Sequence, residues 1–119
     1  MGGIEVLDQS LSEVSLAWEY GGAKQGDAFS VAEAILTAVD KGSAIINLSL
    51  GGYAESQILR NAVEYARDNG VVVVAASGND GVRGVSYPAR FDSVIGVGAL
   101  TAEDTVASFS NFDQVNPLR

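Results

Sequence analysis

The chain reads as an α/β protein, a three-layer and mostly parallel sheet flanked by helices. Short, wholly apolar runs, of which Val71-Val72-Val73-Val74-Ala75-Ala76 is the clearest, have the character of strands buried on both faces of a parallel sheet. Between them lie stretches with apolar residues at helical spacing, each stopped by a glycine. A length of 119 residues, 47% of them hydrophobic, fits one domain (1–119) around a single core.

The elements follow in order. Ile4 to Asp8 is a short strand, and Leu11 to Tyr20 carries a ragged helical pattern broken by Gly21-Gly22, with a polar turn at Gly26-Asp27. Ser30 is placed to cap a helix whose buried stripe is Val31, Ala34, Ile35, Ala38 and Val39. Gly42, after Asp40-Lys41, stops that helix at its C′ position. Ser43 to Leu50 is a buried strand closed by Gly51-Gly52. A second helix runs from about Glu55 to Asp68 with Ile58, Leu59, Ala62, Val63 and Ala66 on one face, and Asn69-Gly70 leads at once into the valine run. Ser93 to Ala99 is a third buried strand whose two glycines signal close backbone approach, and Val106 to Ser110 is a weaker last one. Right-handed crossovers bring the strand ends after Leu50 and Ala75 to one edge of the sheet, where α/β proteins carry their sites.

Composition removes several function classes. With 7 basic and 15 acidic residues the net charge is −8, which repels a phosphate backbone, so nucleic acid is not an expected partner. The longest wholly apolar stretch, 71–76, falls far short of the roughly 20 residues that span a bilayer. No stretch has the basic start and apolar middle of a secretory leader, and the compartment stays open. With no cysteine and no histidine, neither a disulfide framework nor a soft-metal site is expected; oxygen-ligated Ca²⁺ remains open. The acidic residues Glu13, Glu19, Asp27 and Glu33 form no paired acid–base arrangement, and Gly96-Val97-Gly98 lies mid-strand without a dinucleotide fingerprint.

Two loops carry what chemistry the residues suggest. Taken alone, Ser49-Leu50-Gly51-Gly52 is a strand ending in a glycine turn, and Ser77-Gly78-Asn79-Asp80-Gly81 is a polar turn whose Asn and Gly tolerate positive φ. Their order and spacing, with Ile45-Ile46-Asn47-Leu48 before them, Ser86-Tyr87-Pro88-Ala89 after them and then Ala107-Ser108-Phe109-Ser110-Asn111, closely resemble the middle of a subtilisin-like serine protease. The resemblance runs from Ile4 to about Phe112; Leu11 to Gly26 and the tail from Asp113 to Arg119 are its least typical parts.

The resemblance implies a peptide cleft. Ser49, Leu50, Gly51 and Gly52 would lie beside an extended polypeptide and pair with it as a strand would. Ala76, Ser77 and Gly78 would line the specificity pocket, with Asn79 as the oxyanion-hole donor. Asp80 would sit near the pocket floor and favour a basic or polar side chain; otherwise it is a turn acid. Calcium enters by resemblance only, with 89–94 in a region where the family has carbonyl ligands. The bond before Pro88, typically cis in the family, is not decided by sequence.

The same resemblance also implies inactivity of the isolated chain. The catalytic Asp and His of the family would precede Ile4, and the nucleophilic Ser would follow Arg119; Asp8 matches a non-catalytic position. No Ser-His-Asp triad can be assembled from a chain without histidine. The strand bearing the family's Asp lies between those matching Ile4–Asp8 and Ser43–Leu50, so either these two close up and pair or another chain fills the slot. An unpaired buried edge would otherwise invite association, so a homodimer or strand-exchanged oligomer is the expectation if the chain is stable alone. The expectation is thus the central segment of a subtilisin-like endopeptidase, inactive alone; the alternative is a non-catalytic peptide-binding or structural module derived from one.

Overall fold

Alternation of apolar strands and amphipathic helices builds a five-stranded sheet in this computed structural model, which describes residues 4–7, 13–15 and 28–113. The strands are β1 (Ile4–Leu7), β2 (Glu13–Ser15), β3 (Ile45–Leu48), β4 (Val72–Ala76) and β5 (Ile95–Val97); the helices are α1 (Ala28–Asp40) and α2 (Gln57–Asp68). Strand order is β2-β1-β3-β4-β5. The pairs β3–β4 and β4–β5 are parallel, while β1 runs antiparallel to both β2 and β3. The two strands flanking the expected empty slot have therefore closed up, with Val6 opposite Ile46. The expected helical pattern around Leu11–Tyr20 is corrected at 13–15, which pair with β1 as a strand; the rest of it, and the glycine turns before Asp27, lie outside the described residues.

Both helices end alike. At the end of α1 the Gly42 N–H donates to Val39 and the Ser43 N–H to Ala38, with Gly42 at φ 86°; at the end of α2 the Gly70 N–H donates to Arg67 and the Val71 N–H to Ala66, with Gly70 at φ 76°. These are Schellman closures, which turn each helix directly into the following strand. The helix starts differ from expectation. Ala28 and Phe29 are already helical, so Ser30 lies within the first turn of α1 instead of capping it. The cap of α2 is Ser56, whose Oγ accepts from the Leu59 N–H at 3.2 Å, and Glu55 stands before it.

The core lies between the helices and one face of the sheet: Ile35, Ala38, Leu59 and Val63 pack against Ile46, Leu48, Val73 and Ala75. Ile58 is 52% exposed, because at 100° per residue it points about 90° from the centre of the α2 apolar face. The expectation of strands buried on both faces is also corrected. Val72 is 45% exposed and Ile95 55%, since among the described residues both helices cover the same side. The described chain thus contributes the sheet and one helical layer of the three-layer arrangement. Val106 to Ser110 forms no strand; its one ladder contact is the Leu100–Val106 bridge, beside a tight turn in which Asp104 takes φ 62°.

Candidate functional site

Parallel strands end together, and here the carboxyl ends of β3, β4 and β5 surround a cavity of about 360 Å³ lined by Asn47, Ser49, residues 74–79 and residues 97–99. Ser49, Ala76, Ser77, Gly78 and Asn79, singled out from sequence, all face it. Ser49 and Asn79 are exposed on opposite walls. Leu50 is half-buried against the core, which anchors the loop that follows β3.

Gly51 and Gly52 are held from behind. A Cβ on Gly51 would overlap the Ser86 hydroxyl, so only glycine lets the loop lie this close. Gly52 and Tyr87 exchange two backbone hydrogen bonds, at 2.9 and 2.7 Å. The main-chain groups of Gly52 are therefore spent inside the protein, and the open edge is Ser49 to Gly51, which has no backbone partner among the described residues. The Tyr87–Pro88 bond, undecided from sequence, is cis. Tyr87 packs at a tilt against Phe91 with ring centroids 4.9 Å apart, and its hydroxyl donates to Glu55 at 3.3 Å. The hydrogen bond from Arg60 holds the Glu55 carboxyl below the usual carboxylate range.

The opposite wall is the turn after β4. Ser77 is 1% exposed and its polar groups are used internally: the N–H donates to Val97, the carbonyl accepts from Ser86, and Oγ donates to the Asn111 carbonyl. It shapes the wall without offering a hydroxyl to a ligand. Gly78 takes φ 117° and turns the chain outward, leaving the Asn79 amide without a hydrogen-bond partner among the described residues. Tyr53 donates to Asp80 Oδ2 at 2.5 Å and so links the segment after Gly51-Gly52 to the turn after β4. That hydrogen bond to a carboxylate raises the phenol above the ordinary tyrosine value. Asp80 thus carries a partner and is not a bare pocket acid.

Asn111 is the residue that motif reading undervalued. It is 0% exposed, and its side chain reaches Asp80, Val82, Gly84 and Tyr53 at once. In sequence it is the last residue of Ser108-Phe109-Ser110-Asn111, and the signal available is a polar pair, Ser110-Asn111, set between Phe109 and Phe112. Among the described residues no group of three or more His, Cys, Asp or Glu side chains is arranged to hold a metal ion.

Comparison with known proteins identifies the family to which this fold and these loops belong. The model of the Subtilase family matches residues 12–118. The chain belongs to the subtilase family. It is 47% identical over 87 residues to the thermophilic serine proteinase of Bacillus sp. (strain AK1), covering 73% of this chain and 22% of that protein. It is 41% identical over 92 residues to subtilisin Savinase of Lederbergia lenta, covering 77% and 34%. Among solved structures, the patellamide maturation protease PatA aligns with TM-score 0.72 and 34% identity over 76% of this chain and 35% of that one. The epidermin leader peptide processing serine protease EpiP of Staphylococcus aureus aligns with TM-score 0.73 and 27% identity over 81% and 31%. This subtilase chain therefore spans only about a fifth to a third of the length of the relatives it matches.

Proposed function

We propose that this chain is the central, peptide-binding segment of a subtilisin-like serine endopeptidase domain and that it cleaves no peptide bond by itself. The observation that carries this reading is that Ser49, at the start of an open main-chain edge running to Gly51, lines the same cavity at the strand ends as the exposed Asn79; Leu50, Gly51 and Gly52 do not line it. An extended polypeptide would add to the edge as a strand, and its carbonyl would point toward Asn79. In the intact domain that amide would donate to the oxygen as it turns negative; removal of such a donor costs roughly 3–4 kcal/mol, a value that comes from subtilisin itself. The nucleophile and its base would have to come from outside this chain, which has no histidine.

The direct β1–β3 pairing supports a second reading, a self-sufficient peptide-binding module without catalysis. Both readings are tested by amide correlation NMR of the purified chain, titrated with an N-acetylated alanine-rich hexapeptide as free acid and as C-terminal amide. Shifts confined to Ser49–Gly51 and Ala76–Asn79, larger at Asn79 for the free acid, are expected. Dispersed signals that ignore both peptides would overturn the cleft and leave a structural module. A spectrum collapsed in the absence of peptide would sink the self-sufficient module and leave the protease segment.

A further inference from the structure

We propose that Asn111 is the positioning residue of the cleft, fixing Asn79 in place by clamping the peptide groups on both sides of it; the inference rests on the reading of Asn79 as a carbonyl donor. The geometry is specific. On one side, the Asn111 N–H donates to the Gly78 carbonyl at 2.9 Å. On the other, Asn111 Oδ1 accepts from the Asp80 N–H at 2.9 Å and the Val82 N–H at 3.4 Å. Asn79 is thus suspended between two peptide groups tied to one buried residue.

The remaining half of the amide ties in the rest of the site. Asn111 Nδ2 donates to the Gly84 carbonyl at 3.2 Å and to Tyr53 Oη at 2.6 Å, and Tyr53 passes the connection to Asp80. Tyr53 follows the Gly51-Gly52 turn directly in sequence, so Asn111 also touches the segment beyond that turn. A carboxamide suits this position, since the fully buried Asn111 side chain meets two donors and two acceptors at once. A carboxylate would face the Gly84 carbonyl with no proton to offer. An aliphatic side chain would leave the Asp80 and Val82 N–H groups and the Gly84 carbonyl without this partner.

The clamp orders a donor before any substrate arrives. A donor amide contributes to oxyanion stabilisation only if it is already aimed, so that no reorganisation occurs during reaction. Asn79 makes no hydrogen bond of its own among the described residues, so its aim is set by its backbone alone, and Asn111 sets that backbone.

Two measurements on the 119-residue chain test this. The first is hydrogen exchange of the wild type without peptide. Asp80 and Val82 are exposed residues, yet their amides should exchange about 100-fold or more slowly than unprotected ones, because each is bonded to a buried carboxamide. Exchange at the unprotected rate overturns the proposal. The second is Asn111→Leu, neutral and of similar size, titrated with the free-acid and amide hexapeptides. The preference for the free acid, read at Asn79, should be lost, while shifts at Ser49–Gly51 persist. Retention of that preference overturns the proposal. If Asn111→Leu does not fold, wild-type exchange decides. If the wild type ignores both peptides, the cleft reading alone fails, and exchange still decides whether Asn111 clamps the loop.

Discussion

Gly78 rests directly on the side-chain amide of Asn111, so closely that a Cβ at position 78 would overlap Nδ2. The same glycine takes φ 117°, a conformation that side chains of L-residues resist. Gly78→Ala therefore meets two penalties together, backbone strain and overpacking, and should destabilise the chain by about 2–4 kcal/mol. Gly70 provides the contrast. It takes φ 76° at the end of α2 but has open space around its Cα, so Gly70→Ala should cost only about 1 kcal/mol. Urea unfolding of both variants checks the difference, and equal losses would mean that the Asn111 contact does not matter.

Asn79 should separate function from stability. Its amide is exposed and has no hydrogen-bond partner among the described residues, so Asn79→Ala should change unfolding free energy by less than about 0.5 kcal/mol. The same substitution should abolish the difference between free-acid and amide hexapeptides at the cleft. A loss of 2 kcal/mol or so in stability would instead make Asn79 a structural turn residue.

Tyr53 should titrate late. Its hydroxyl donates to Asp80, which favours the protonated phenol and lifts it above the usual value of about 10. Because the proton is held more tightly in the folded state, any stabilisation from this bond is fully present below the ordinary tyrosine value and is lost as pH rises through the raised one. Following the Tyr53 ring signals by NMR should give a midpoint above 10, and Asp80→Asn should bring it down. A midpoint at or below 10 in the native chain would mean that the Tyr53–Asp80 hydrogen bond is not formed in solution.

What sequence reading captured, and what it missed, follows the range of the interactions involved. Helix stops at Gly42 and Gly70, the order of β3, α2 and β4 and the buried stripes of both helices, apart from the exposed Ile58, are local or periodic and lie where the pattern puts them. Ser30 does not cap α1 because Ala28 and Phe29 extend the helix before it. The final strand failed because Val106 and its neighbours wrap into the turn around Asp104. Ser49 and Asn79 came from motif order, and they do face one cavity. Asn111 escaped because its side-chain partners lie 27 to 58 residues away in the chain, where no local pattern reaches. The second sheet face escaped for another reason: an apolar run records what a strand can tolerate on both sides, not which sides are covered.

That face makes the last prediction, and two consecutive isoleucines state it. Ile45 and Ile46 sit side by side in β3 and point to opposite faces; Ile46 is 0% exposed under the helices, and Ile45 is 40% exposed beside Val72. Ile46→Ala removes buried methyl groups and leaves a cavity, so it should cost about 2–5 kcal/mol. Ile45→Ala removes a half-exposed side chain and should cost less than about 1 kcal/mol, mostly in strand propensity. Urea unfolding at two protein concentrations measures both. If Ile45→Ala costs as much as Ile46→Ala, the outer face is covered in solution. A cost that grows with protein concentration would then assign the cover to a second copy of the chain, and one that does not would assign it to another part of the same chain.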